Sequence, residues 1–142
     1  MTVSAFVGGS RGAIISVTRT DSVAQAVSLL AQRRIGCVPV VEDGAVLGIF
    51  SERDVVYGLE REGATLLAKT VGEVMTTPPV TIAPDMPIIS ALSLMTRRRI
   101  RHLPIVERGR MAGFVSIGDL VKHRMDKIES EAEAMRSYIQ SA

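Results

Sequence analysis

The sequence has no tryptophan, three phenylalanines and two tyrosines in 142 residues. A fold or a binding face built on aromatic stacking platforms is therefore disfavoured. The single cysteine, Cys37, excludes an internal disulfide framework and a cysteine-based zinc cage. Two histidines, His102 and His123, are too few for a His-rich metal site, so no metal is expected. Lysine is scarce as well, with 3 Lys against 14 Arg and a net charge of only +2. So small and so arginine-weighted a charge points to local anion binding and away from a generally basic surface. No apolar run approaches the roughly 18–20 residues needed to cross a bilayer. Met1 to Val17 has no cationic start, and Gly8-Gly9-Ser10-Arg11-Gly12 interrupts it. It does not read as a signal peptide, and the expected compartment is the cytoplasm, with Cys37 reduced. What the sequence does have is core material: 46% of its residues are apolar and 23% charged. Such a chain folds, as one domain or as two small halves.

The chain contains itself twice. Ile35-Gly-Cys-Val-Pro-Val-Val-Glu-Asp-Gly44 matches Ile100-Arg-His-Leu-Pro-Ile-Val-Glu-Arg-Gly109 at a shift of 65. The same shift carries Ala26 to Ala91, Leu29 to Leu94, Arg33 to Arg98, Gly48 to Gly113, Ser51 to Ser116 and Asp54 to Asp119. Residues 18–56 align with 83–121 without a gap, with 14 identities in 39 positions. Duplication is the reading that fits.

Both copies predict the same elements. A helix is marked by Val23, Val27 and Leu30, with Thr20, Asp21 or Ser22 as cap; its twin carries Ile88, Leu92 and Met95, with Asp85 as cap and Pro87 near the first turn. Short apolar strands follow at Val38–Val41 and Leu103–Val106, then Gly-bearing turns at 42–45 and 107–110, then strands at Val46–Phe50 and Met111–Val115. Pro39 and Pro104 suit a strand start or edge. Ser51 and Ser116 open a second helix in each copy. A further strand is expected before each unit, at Ala13–Val17 and Val80–Ile82. Each copy is thus a β-α-β-β-α unit, whose small sheet needs the other copy to cover it. The connection, from about Glu60 to Pro79, is stiffest at Met75-Thr-Thr-Pro-Pro79, and Thr65–Thr70 reads as a short helix.

Beyond Ser116 the helical pattern outlasts the repeat. Val121, Met125, Ile128, Ala132, Met135 and Ile139 are spaced 4, 3, 4, 3, 4, with Glu129, Glu131 and Glu133 off that seam. Two readings stand: a helix that pairs with its own copy in a dimer, or one folded back on its domain.

Two groups of residues are chemically suggestive. In Gly48-Ile-Phe-Ser51-Glu-Arg-Asp54 and Gly113-Phe-Val-Ser116-Ile-Gly-Asp119, a strand ends, a hydroxyl sits at the turn and a helix starts. A helix N-terminus offers free N–H groups and a positive dipole end, which suit phosphate. The hydroxyl can donate to a phosphate oxygen, and the carboxylate one turn on can accept from ribose hydroxyls. The same residues also read as a plain capping box. Arg97-Arg-Arg-Ile-Arg101-His102 is the second group, with Arg33-Arg34 as its weaker twin. Arg98 and Arg99 close a helix, where cations are favourable. Arg101 and His102 stand where the first copy has Gly36 and Cys37, and are candidates for contacting a ligand phosphate. His102 reads equally as a partly buried structural histidine, and Cys37 as a small buried hydrophobe.

This set of elements, in the same order twice, resembles the CBS domain, which occurs in tandem pairs; the resemblance covers about residues 13–124. It implies an α+β fold in which tandem β-α-β-β-α motifs pack as one pseudo-two-fold module with a long C-terminal helix. The divisions are 1–60, first motif; 61–79, linker; 80–124, second motif; and 125–142, helical tail. It implies clefts between the repeats for adenosine compounds, AMP above all, with NAD or ATP as alternatives. Asp54 and Asp119 would bind ribose, and Ser51 and Ser116 phosphate. The cleft holding Asp119 would borrow Ile15, Ile35 and Gly36; the cleft holding Asp54 would borrow Val80, Ile100 and Arg101. Arg101 and His102 could serve a phosphate in either, so the two clefts should be unequal. It also implies a stand-alone bacterial-type regulatory protein, a homodimer with a downstream target the sequence does not name, and no membrane.

The function expected is therefore a nucleotide-sensing module without catalysis. An enzyme is disfavoured because the chain lacks a Gly-x-x-x-x-Gly-Lys-Ser/Thr loop, a paired acid and base, and a metal cluster. The alternative, an Arg-rich nucleic-acid binder, would need an extended basic face with aromatics, and only Phe114 lies near the arginines.

Overall fold

A computed structural model describes residues 1–8 and 14–141. Helix α1 spans Val23–Arg33, strand β1 Cys37–Glu42, strand β2 Ala45–Ser51 and helix α2 Glu52–Glu62. A 3-10 turn over Gly63–Ala68 and the short helix α3, Val71–Val74, follow. The second copy consists of α4 Ile88–Arg98, β3 His102–Glu107, β4 Arg110–Ser116 and α5 Ile117–Ser141.

The two hairpins are built alike, residue for residue. β1 pairs antiparallel with β2, and β3 with β4, each as a two-stranded sheet. Each ladder slips once, between Val40 and Val41 and between Ile105 and Val106. The turns place Asp43-Gly44 at φ 50 and 83° and Arg108-Gly109 at φ 54 and 76°. Positive φ at both central positions is the tight turn whose twist matches that of paired strands. Arg34 and Arg99 both stop their helices in the left-handed conformation, at φ 54 and 55°.

Two expectations need correction. The strands expected at Ala13–Val17 and Val80–Ile82 shrink to single parallel bridges, Val17 to Val40 and Ile82 to Ile105; Ala13 lies outside the described residues. Val17 N donates to Pro39 O at 3.1 Å and Val41 N to Val17 O at 2.9 Å. The next rung would need N–H groups from Pro39 and Pro104, which have none, so the prolines end the ladder. The second correction concerns caps. Ser22 caps α1 in a reciprocal box with Gln25, but its twin is Pro87, not Asp85, and no side chain caps α4. Instead Ile88 N donates to Met1 O at 3.1 Å.

The core is in two parts. Val17, Val23, Ala26, Leu30, Val38, Val40, Phe50, Leu66 and Val71 pack in the first half, while Val3, Ile82, Ile88, Ala91, Met95, Leu103, Ile105, Val115 and Leu120 pack in the second. Val3 belongs to the second half, although it precedes the first in sequence. Its N–H donates to Met86 O at 2.9 Å, as Val71 N donates to Asp21 O at 2.8 Å in the other half. Residues 69–76, read from sequence as linker, are thus folded onto the first half, and residues 1–8 onto the second. The Thr77–Pro78 peptide is cis. The halves meet through β2 and β4, where Met111 N donates to Gly44 O at 2.8 Å.

Helix α5 does not fold back. Leu120 is buried, but every residue from Ile128 to Ser141 is exposed.

Candidate functional site

Both Ser–Asp pairs sit where the sequence places them, at the junction of a buried strand and a helix. In the first half, Ser51 N donates to Asp54 Oδ2 at 2.9 Å, Ser51 Oγ to the same oxygen at 3.2 Å, and Asp54 N to Ser51 Oγ at 3.4 Å. In the second, Ser116 N donates to Asp119 Oδ2 at 3.0 Å and Asp119 N to Ser116 Oγ at 3.0 Å. The capping box is therefore made in both copies. It engages one carboxylate oxygen, Oδ2, with the serine backbone, and both acids remain half-buried.

The other oxygen of Asp54 has a partner that sequence reasoning missed. Thr76 Oγ1 donates to Asp54 Oδ1 at 2.8 Å. Thr76 is held there by a two-way backbone bridge with Ile49, at 3.0 and 2.9 Å. Gly48 makes that approach possible, since a Cβ on it would stand 2.7 Å from Thr76 O. Gly113 serves the other half in the same way, with Phe6 O 2.8 Å from the position of its missing Cβ. The legible signal was the glycine three residues before each serine, which marks a close backbone contact in a strand.

The position beside each acid differs between halves. Cys37 pairs across the hairpin with Ser51, and His102 with Ser116. Burial pushes the Cys37 thiol up to about 12, helped by the nearby charges of Asp54 and Glu52. It is a buried hydrophobe, as expected. His102 lies flat against Phe114, with ring centroids 5.5 Å apart and planes 18° off parallel. Burial lowers its pKa; the Asp119 charge opposes this and the Arg101 charge adds to it. His102 is therefore mostly neutral at pH 7, and the fixed positive charge acting on it comes from Arg101, which is exposed.

The remaining predicted residues lie at the edges of the cores. Ile15 and Ile35 pack half-buried on the first, Val80 and Ile100 on the second. Gly36 O accepts from Glu52 N at 2.9 Å and Arg101 O from Ile117 N at 2.7 Å, so each stands at the mouth of its own helix. The halves touch beside Asp54, where Arg53 Nη2 donates to Arg99 O at 3.3 Å. This brings the first turn of α2 to the turn that carries Ile100 and Arg101. A separate cavity of about 230 Å³ lies between the start of α4 and α5, lined by Pro87, Ile89, Arg124 and Lys127 among others; none of the predicted site residues lines it. Among the described residues no group of His, Cys, Asp and Glu is placed to hold a metal ion, and no helix is long and apolar enough to cross a membrane.

This duplicated strand–Ser–helix–Asp architecture is that of a tandem pair of β-α-β-β-α-type motifs. The family model for the CBS domain matches the chain twice, over residues 10–61 and 71–126, and the chain belongs to that family. A CBS domain-containing protein of Arabidopsis thaliana, the mitochondrial CBSX3, is 34% identical over 134 residues, covering 91% of this chain and 65% of that protein. The chain thus spans less than two thirds of that relative's length. A solved CBS-domain containing protein from Agrobacterium tumefaciens is 39% identical, covers 80% of this chain and 92% of its own, and superposes with a TM-score of 0.75. Arabidopsis CBSX2, solved in complex with AMP, shares the fold at 24% identity, covering 88% of this chain and 96% of its own, with a TM-score of 0.75.

Proposed function

We propose that the protein is a regulatory sensor of an adenosine-containing ligand, AMP first, with NAD and ATP as longer alternatives, and that it carries out no chemistry of its own. The carrying observation is the matched pair of Ser–Asp boxes, each offering a half-buried carboxylate at a helix mouth. In this reading Asp54 and Asp119 accept ribose hydroxyls, and Ser51, Ser116 and the first-turn N–H groups take phosphate. Ile15, Ile35 and Gly36 flank the base in the Asp119 cleft; Val80, Ile100 and Arg101 do so in the Asp54 cleft. Arg101 supplies charge to the phosphate, while neutral His102 supplies a hydrogen bond. The AMP bound by CBSX2 supports the ligand class. A ligand that touches both halves favours one arrangement of them over another, and a protein target reads that preference.

Titration calorimetry with AMP, ATP and NAD, run at low and high salt, tests this. We expect saturable AMP binding with little salt dependence. Asp119→Asn, which keeps an acceptor for Ser116 N, should weaken it by about tenfold, or ~1.4 kcal/mol, with the melting temperature held. No heat and no thermal shift with any of the three would sink the reading. A steep salt slope with RNA in place of nucleotide would move it to nucleic acid.

A further inference from the structure

From Ile128 to Ser141 every residue of α5 is exposed, yet this stretch and the turns before it carry a regular apolar seam. Val121, Met125, Ile128, Met135 and Ile139 are 45–65% exposed, and Ala132 is exposed with them. The helix is 25 residues long, about 37 Å at 1.5 Å per residue. Its own half buries only Leu120, which lies about 110° around the helix from the seam at 100° per residue. An isolated helix of this kind is marginal in water, and so bare a seam needs a partner.

The charges beside the seam decide which partner, and in which direction. Spacings of 3 and 4 put Val121, Ile128 and Met135 at d positions and Met125, Ala132 and Ile139 at a positions of a heptad. Lys122, Glu129 and Arg136 then occupy e, and Arg124, Glu131 and Tyr138 occupy g. In a parallel, in-register pair each g residue meets the partner's next e residue. That sets Arg124 against the partner's Glu129, and Glu131 against the partner's Arg136, each twice by symmetry: opposite charges throughout. An antiparallel pair with the same apolar layers stacked, Val121 on Ile139 and Ile128 on Ala132, sets e against e and g against g. Glu129 then meets Glu129, Glu131 meets Glu131, and Lys122 meets Arg136, all like charges, while Arg124 meets the uncharged Tyr138. Glu131 has only Lys127 on its own helix, at 3.9 Å, and so stays available.

We propose that α5 is the pairing surface for a second copy of this chain, in a parallel, in-register, two-stranded coiled coil. The pairing is independent of any nucleotide.

Cysteine cross-linking of the full chain, read with light scattering, tests both the partner and the direction. Met135→Cys should give a disulfide-linked dimer on mild oxidation, because d meets d at the same height; the native Cys37 is buried and stays silent. Ile128→Glu with Met135→Glu should raise the dimer dissociation constant roughly 100-fold, with the circular dichroism melt of the two halves retained, since both side chains are exposed. Glu131→Arg alone should weaken the dimer roughly five-fold, and Arg136→Glu added to it should restore it. A 15.3 kDa species at all concentrations would overturn the proposal. So would cross-links that form only between Val121→Cys and Ile139→Cys chains, or a dimer that the double glutamate variant leaves unchanged.

Discussion

The two halves share a backbone and differ at the site. Their turns, ladder slips, left-handed helix stops and Ser–Asp boxes coincide under the shift of 65. Yet Gly36 becomes Arg101, Cys37 becomes His102 and Arg53 becomes Gly118. The positions that stayed the same are those the backbone dictates: a proline that ends a ladder, a glycine at positive φ, a glycine against a carbonyl. Among the positions that changed, Gly36/Arg101 and Cys37/His102 flank the start of the strand that faces each Ser–Asp box. Two copies of one scaffold therefore carry their arginines differently, Arg53 on the helix of the first and Arg101 before the strand of the second, and only the second adds an aromatic stack, His102 on Phe114.

The largest break in that comparison should come from the shared scaffold. Gly48→Ala puts a methyl 2.7 Å from Thr76 O and 2.8 Å from Met75 Sδ; Gly113→Ala puts one 2.8 Å from Phe6 O and 3.1 Å from Ile105 Cδ1. Both should destabilise by about 1–3 kcal/mol, since a backbone carbonyl cannot step aside as a side chain can. Gly48→Ala should cost more, because Thr76 is bridged in both directions while Gly8 N donates once, to Ala112 O at 3.2 Å. Urea unfolding of the two variants ranks them.

A smaller effect sharpens the difference between the sites. Thr76→Val removes the hydroxyl from Asp54 Oδ1 and leaves that oxygen to the ligand. Affinity at the Asp54 cleft should rise by a few-fold, within the ~0.5–1.5 kcal/mol of one hydrogen bond, with the Asp119 cleft unmoved. Calorimetry on the variant, with Asp119→Asn added to weaken the second cleft and separate the two binding steps, reads it. An unchanged affinity would leave Thr76 as a structural strut alone.

The smallest effect is a pH dependence confined to one half. The folded pKa of His102 is held below its ordinary value, chiefly by burial. The unfolded chain therefore takes up a proton at a pH where the folded chain does not. His102 contributes its full stability above about pH 6.5, and that contribution is lost as pH falls from there through the folded pKa. The melting temperature should drop on acidification over that range, and His102→Gln should flatten the drop. The first half has no counterpart, since Cys37 titrates only at high pH.

Much of this was legible in the sequence, because duplication supplies its own control. The shift of 65 located both hairpins, both turns and both Ser–Asp boxes, and Pro39 and Pro104 marked edge strands, each lying inside its strand. What it hid was cross-chain geometry. The bridge at Val17 stops after one rung because of a proline on a different strand. The cap expected from Asp85 is replaced by a carbonyl from Met1, some 87 residues away. The Thr76–Asp54 bond joins a stretch read as linker to the site, and no local pattern announces it. Neutral His102 likewise follows from its stacking on Phe114 and its burial, which spacing alone does not give.

The placement of Val3 in the far half has a consequence for anyone cutting the molecule apart. Each repeat is closed by a strap drawn from the stretch that leads into the other, so neither copy is a detachable cassette. A fragment starting at residue 80 would have an open seat in its interior where Val3 belongs, and one ending at residue 62 would lack Leu66 and Val71. The pair is interlaced, as two hands are with fingers crossed, and the natural unit of inheritance, expression and engineering is the whole clasp.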